Sequence, residues 1–90
     1  MKRTIITVVG KDCVGIIAAV CSYLAEHNIN ILDINQSILQ GYFHMMMIAD
    51  ANHADKEFSL LAQELELLGG RLGVQIKIQH EEIFDVMHRI

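Results

Sequence analysis

Ninety residues suffice for one domain, and a formal charge of −4 with a pI near 5.6 supplies no basic footprint for nucleic acid or an anionic membrane. The chain is 52% hydrophobic with no Trp, above the globular norm of about 45–50%, so some apolar surface is expected to be buried against a second subunit. Two cysteines, Cys13 and Cys21, are too few for a disulfide framework, and no signal-peptide pattern opens the chain, so the cytoplasm is the expected compartment.

The uncharged, apolar run from Val14 to Ala25 falls short of the roughly 20 apolar residues that span a bilayer. No proline, low-complexity stretch or composition shift marks a linker, and residues 1–90 read as a single domain. Lys2 to Val9 is rich in Thr, Ile and Val and stops at Gly10, which predicts a central strand, apolar on both faces. After Lys11 and Asp12 the period changes. Ile17, Val20, Cys21 and Leu24 follow helical spacing within Val14 to His27, with Asp12 placed to cap the helix and His27-Asn28 to end it.

Asn30 to Leu39 returns to strand, with Leu32, Ile34 and Ile38 on one face and Asp33, Asn35 and Ser37 on the other. Gln40-Gly41 is a tight turn into the next strand, Tyr42 to Ala49, so the two strands form an antiparallel hairpin. Within it, Met45 and Met47 point one way and Met46 the other, which suits core and interface filling. Asp50 to Ala54 reads as loop. From Asp55, the residues Phe58, Leu61, Ala62, Leu65 and Leu68 make a second amphipathic helix, with Gly69-Gly70 expected to close it. Val74, Ile76 and Ile78 alternate with Gln75, Lys77 and Gln79 as a half-buried strand, and Glu81 to Ile90 predicts a short terminal helix.

The order β-α-β-β-α-β defines an α+β, ferredoxin-like sandwich of one antiparallel sheet under two helices. This fold hosts many functions, so the loop between the first strand and first helix has to discriminate. A soft-metal chaperone needs two thiolates converging there, and Cys13 stands alone. RNA binding needs aromatic residues on both central strands and a basic surround; Tyr42 and Phe43 occupy only one strand. A phosphate-holding catalytic loop needs an arginine, and the nearest, Arg3, lies at the far end of the strand. No two histidines have the i, i+4 spacing of metal ligands on one helical face; no metal site or cofactor is expected, nor an enzyme.

What remains is a loop with an aspartate three residues before a glycine at the head of a helix. Gly15 admits a ligand close to the backbone, whose free N–H groups attract a carboxylate, while Asp12 offers an acceptor for an ammonium group or caps the helix. An α-amino acid needs both partners.

Asp12-Cys13-Val14-Gly15-Ile16-Ile17, after an apolar strand and before an apolar helix, resembles the opening of the ACT-domain family, and Asn28-Ile29-Asn30-Ile31 is similar to that family's approach to its second strand. The Gly10-Lys11-Asp12 loop and Gly41-Tyr42-Phe43 look like the stand-alone single-ACT proteins related to the glycine cleavage system regulator. Val14 stands where many members carry proline, again as in that subgroup. The resemblance implies a non-catalytic regulatory module that binds a small molecule, typically an amino acid, and assembles as a homo-oligomer, at least a dimer. It implies a ligand site at Lys11, Asp12, Cys13, Val14, Gly15 and Ile16, completed by Asn30 and Ile31 of a neighbouring subunit. The alternative reading is a protein-protein interaction module that docks on an enzyme or transcriptional regulator without a small ligand.

Overall fold

The structure, a computed structural model, describes residues 3–11 and 14–82. The elements run β1 (Arg3–Lys11), α1 (Ile16–Glu26), β2 (Asn30–Leu39), β3 (Tyr42–Asp50), α2 (Phe58–Leu72) and β4 (Val74–His80). The strands form one antiparallel sheet in the order β2-β3-β1-β4, so β1 and β3 are central and β2 and β4 are edges. This is the ferredoxin-like α+β sandwich expected from the sequence.

Register decides which side chains meet the helices. Ile6 pairs with Met47 and Ile78, and Val8 with Met45 and Ile76. Directly paired residues of antiparallel strands share a face. These side chains are buried with Ile16, Val20 and Leu24 of α1 and with Leu61 and Leu65 of α2. The alternation of Met45, Met46 and Met47 holds: the outer two are fully buried and Met46 is half-buried on the opposite face. Ile16, four residues before Val20, heads the buried stripe of α1; Ile17 is turned toward the rim and is 38% exposed.

The hairpin turn has positive φ at both central residues, Gln40 (53°) and Gly41 (83°), the pattern whose twist suits two antiparallel strands. A bulge between Ile31 and Asp33 shifts the pairing of β2 by one residue. Past it, Ile34 and Ile38 face the helix side and Asp33, Asn35 and Ser37 the open side, while Leu32 lies in the bulge itself rather than in their row.

Helix α2 does not end at Gly69-Gly70. It continues to Leu72, and Gly73, at φ 77°, is the left-handed cap whose N–H donates to the carbonyl of Gly69. Gly69 serves packing instead: a Cβ there would lie 2.7 Å from the carbonyl oxygen of Val74 and 3.1 Å from Ile76. The backbone of β4 therefore approaches the helix where only glycine fits. Glu81 and Glu82 are helical, and Arg3 binds Glu81 through two hydrogen bonds of 2.6 Å; the rest of the expected terminal helix, 83–90, lies outside the described residues.

Candidate functional site

The loop after β1 leads to Gly15, which adopts φ 93° and ψ 0° and is the N-cap of α1. The capping position therefore belongs to Gly15 and not to Asp12, because the left-handed turn delays the first helical residue to Ile16. Gly15 brings no side chain to cap the helix, and no acidic residue occupies the first turn. Its carbonyl accepts from the N–H of Ala19 at 2.9 Å. The N–H groups of Ile16, Ile17 and Ala18 precede the first possible intrahelical acceptor and point out of the helix end. They carry the positive end of the helix dipole.

These residues border a cavity of about 220 Å³ whose other wall is Gln36 and Ile38 of β2 and Phe43 of β3. The cavity joins a polar end, formed by backbone donors that no described side chain caps and by the Gln36 amide, to an apolar wall. Its rim is rich in exposed apolar groups: Val14, Ile17, Ile38, Leu39 and Tyr42 all lie at this end of the sheet.

Of the sequence-predicted residues, Gly15 and Ile16 line this cavity, Lys11 ends β1 opposite Tyr42, and Val14 is fully exposed. Asp12 and Cys13 lie outside the described residues. Asn30 and Ile31 are not brought near. Asn30 pairs with Asp50, which pairs with Arg3, eight residues along β1 from Lys11. At about 3.3 Å per residue, the two ends are roughly 26 Å apart. Gln36 and Ile38 line the cavity without having been expected there, although alternation on β2 already sets Ile38 on one face with Ile34. Their position beneath the head of α1 follows only from the three-dimensional crossover.

A polar cluster ties the other end of α1 to α2. The Tyr23 hydroxyl donates to Glu64 Oε1 at 2.7 Å, Lys56 donates to Glu64 Oε2 at 2.7 Å, and His27 Nδ1 lies 2.8 Å from Asp55 Oδ1. The Lys56 ammonium, then the Tyr23 hydroxyl, hold the Glu64 carboxyl below the usual carboxylate range. Burial, then the hydrogen bond to Glu64, push the Tyr23 phenol above its ordinary value. Burial also pushes the Cys21 thiol up, which disfavours the thiolate a nucleophile requires. Among the described residues, no three His, Cys, Asp or Glu side chains gather to hold a metal, and no helix is long and apolar enough to cross a membrane.

The family model described as ACT domain matches residues 2–79. This chain belongs to the ACT-domain family. A UPF0237 protein of Bifidobacterium longum is 59% identical over 90 residues, covering all of both chains. An ACT domain protein from Streptococcus pneumoniae superimposes with a TM-score of 0.81 at 43% identity, covering 93% of this chain and 94% of that one. A glycine cleavage system transcriptional repressor shares the fold at a TM-score of 0.73 and 22% identity, covering 88% of this chain and 45% of its own. The ACT domain is a regulatory type of module, and these similarities indicate no catalytic activity for it.

Proposed function

We propose that this ACT domain is a non-catalytic, cytoplasmic regulatory module that binds an α-amino acid at the head of α1 and acts as a homodimer. The observation that carries the reading is the N-terminus of α1, which no side chain among the described residues caps, opening on a cavity with one polar and one apolar wall. A carboxylate accepts from the free N–H groups of the first turn, where the helix dipole favours it. Asp12 accepts from the ammonium group, with Lys11, Cys13 and Val14 completing the loop. The ligand side chain rests on Ile38 and Phe43.

Dimerisation accounts for Asn30 and Ile31. β2 is an edge strand with nine of its ten residues exposed, and it carries neither proline nor lysine to block pairing. Antiparallel pairing of two β2 edges about a twofold axis at Gln36 sets Ile34 opposite the partner's Ile38 on the helix side. On the open side it sets Asn35 opposite the partner's Ser37. That reversal carries the partner's Asn30 and the partner's Ile31 to the end of the sheet where Gly15 lies.

Thermal unfolding against a panel of common amino acids tests the site. Ligand at 100 times its dissociation constant adds about 2.7 kcal/mol, several degrees for a domain of this size. A selective shift, absent in Asp12→Ala, supports the assignment; a normal shift in that variant overturns it.

A second reading, a docking module without a small ligand, is favoured by one observation. Leu60 and Leu67 on the outer face of α2 are exposed, and Leu67 borders a groove with Gln63, Glu66, Gly70 and Arg71. An amino-acid panel without any shift, together with a stable protein partner lost in Leu67→Asp, would favour it.

A further inference from the structure

At the end of the sheet opposite Gly15, a second cavity of about 240 Å³ lies under the start of α2, with Thr4, Asn52, Lys56, Phe58, Leu61 and His80 in its lining. Thr4 is on the central strand, paired with Ala49 and His80, and only 3% exposed. Its hydroxyl has no hydrogen-bond partner among the described residues. No fully enclosed side-chain nitrogen or oxygen among those residues lacks a partner, so this hydroxyl opens on the cavity it lines. A nearly buried hydroxyl with no protein partner that borders a cavity is free to donate to an occupant of that cavity.

The remaining lining defines the occupant. Among the described residues no carboxylate lines the cavity, while Lys56 does, and Lys56 uses one donor on Glu64 and keeps two more. Helix α2 begins beside it with Glu57 as N-cap, whose side chain makes no capping hydrogen bond, and with no acidic residue in the first turn. The carbonyl of Glu57 accepts from Leu61, leaving the N–H groups of Phe58, Ser59 and Leu60 without intrahelical acceptors. The ring of Phe58, the first residue of this helix, stacks on His80 with ring centroids 4.0 Å apart, and with Leu61 it supplies apolar lining. The volume equals that of about eight waters, below the roughly 300 Å³ at which drug-sized pockets begin.

We propose that this cavity is a second ligand site, for a short-chain aliphatic carboxylate. Its carboxylate accepts from the Thr4 hydroxyl, Lys56 and the first turn of α2, and its alkyl chain lies against Phe58 and Leu61. The site shares no lining residue with the cavity at Gly15 and does not rest on the function proposed above.

Titration of the labelled full chain with butyrate, followed by amide NMR, tests the proposal, with butylamine as a cation of similar shape. Saturable shifts are expected at Thr4, Asn52, Phe58 and Leu61 with butyrate and not with butylamine, while Gly15 and Ile38 stay still. Thr4→Val keeps the side-chain shape without the hydroxyl and is expected to weaken butyrate about tenfold, the equivalent of one charge-assisted hydrogen bond. Thr4→Ser, which keeps the hydroxyl, is expected to bind within a few-fold of the parent. Non-saturating shifts, equal response to butylamine, or unchanged affinity in Thr4→Val would each overturn the assignment.

Discussion

At Gly15 and at Gly69 the same residue type meets two different physical demands, and alanine separates them. Gly15 has φ 93° with nothing within 4 Å of where a Cβ would stand, so Gly15→Ala carries only the left-handed backbone cost of about 1–2 kcal/mol. Gly69 has ordinary helical backbone but no room, since its Cβ would meet the Val74 carbonyl oxygen at 2.7 Å. Gly69→Ala gains helix propensity worth about 1 kcal/mol, yet overpacking typically costs about 1–3 kcal/mol, and here the obstacle is backbone that cannot rotate aside. The expected net is destabilisation. Gly70, one residue on, is helical with open space around it, so Gly70→Ala is expected to stabilise by about 0.5–1 kcal/mol. Denaturant unfolding of the three variants checks the order: Gly70→Ala above the parent, the other two below it. A Gly69→Ala variant as stable as Gly70→Ala would remove the close approach of β4 as the reason for glycine.

Between elements, the cluster joining α1 and α2 makes stability depend on pH at both extremes. The folded-state value of Glu64 is depressed, so its contribution is present above the ordinary carboxylate value near 4.3 and is lost as pH falls through the depressed one. Tyr23 is raised, so its contribution is present below about pH 10 and is lost as pH climbs through the raised value. Glu64→Gln is therefore expected to narrow the melting-temperature difference between neutral and acid pH, and Tyr23→Phe that between neutral and alkaline pH, both read by thermal unfolding across a pH series. This cluster is invisible in the sequence, because Tyr23 and Glu64 are 41 residues apart and meet only once the helices lie side by side. The helices and strands themselves are legible, since alternation and helical spacing follow from which face each element buries. Their ends are less so. Gly69-Gly70 resembles a stop signal because glycine does close helices, but here Gly73 supplies the left-handed cap and Gly69 supplies clearance. Asp12 looks like a cap for the same local reason, and the left-handed turn at Gly15 moves the helix start beyond it.

For the whole molecule, the proposed pairing of two β2 edges would bring the partner's Asn30 and the partner's Ile31 toward the head of α1, so assembly and ligand affinity should be linked. In the proposed pairing about Gln36, Ile34 would face the partner's Ile38, a residue that lines the cavity at Gly15 in each chain. In the isolated chain Ile34 is already 40% exposed on an edge strand, paired with the buried Met47, and a lysine can lay its alkyl stem there with its charge in solvent, so Ile34→Lys should leave the fold intact. A lysine on each edge strand would be buried against an apolar partner residue and repel pairing. The expected outcome is a monomer by sedimentation, with a folded circular dichroism spectrum. Its amino-acid thermal shift should be lost or reduced to the part that one chain supplies through Gly15 and the first turn of α1. The parent should show a melting temperature that rises with protein concentration, as folding coupled to association requires, and the variant should not. Linkage adds a reciprocal demand: if the ligand tightens the dimer, dimerisation tightens ligand binding by the same factor, so dilution of the parent must weaken its apparent affinity. A variant that is monomeric yet binds with parental affinity would separate the site from the interface and assign the cavity at Gly15 to a single chain.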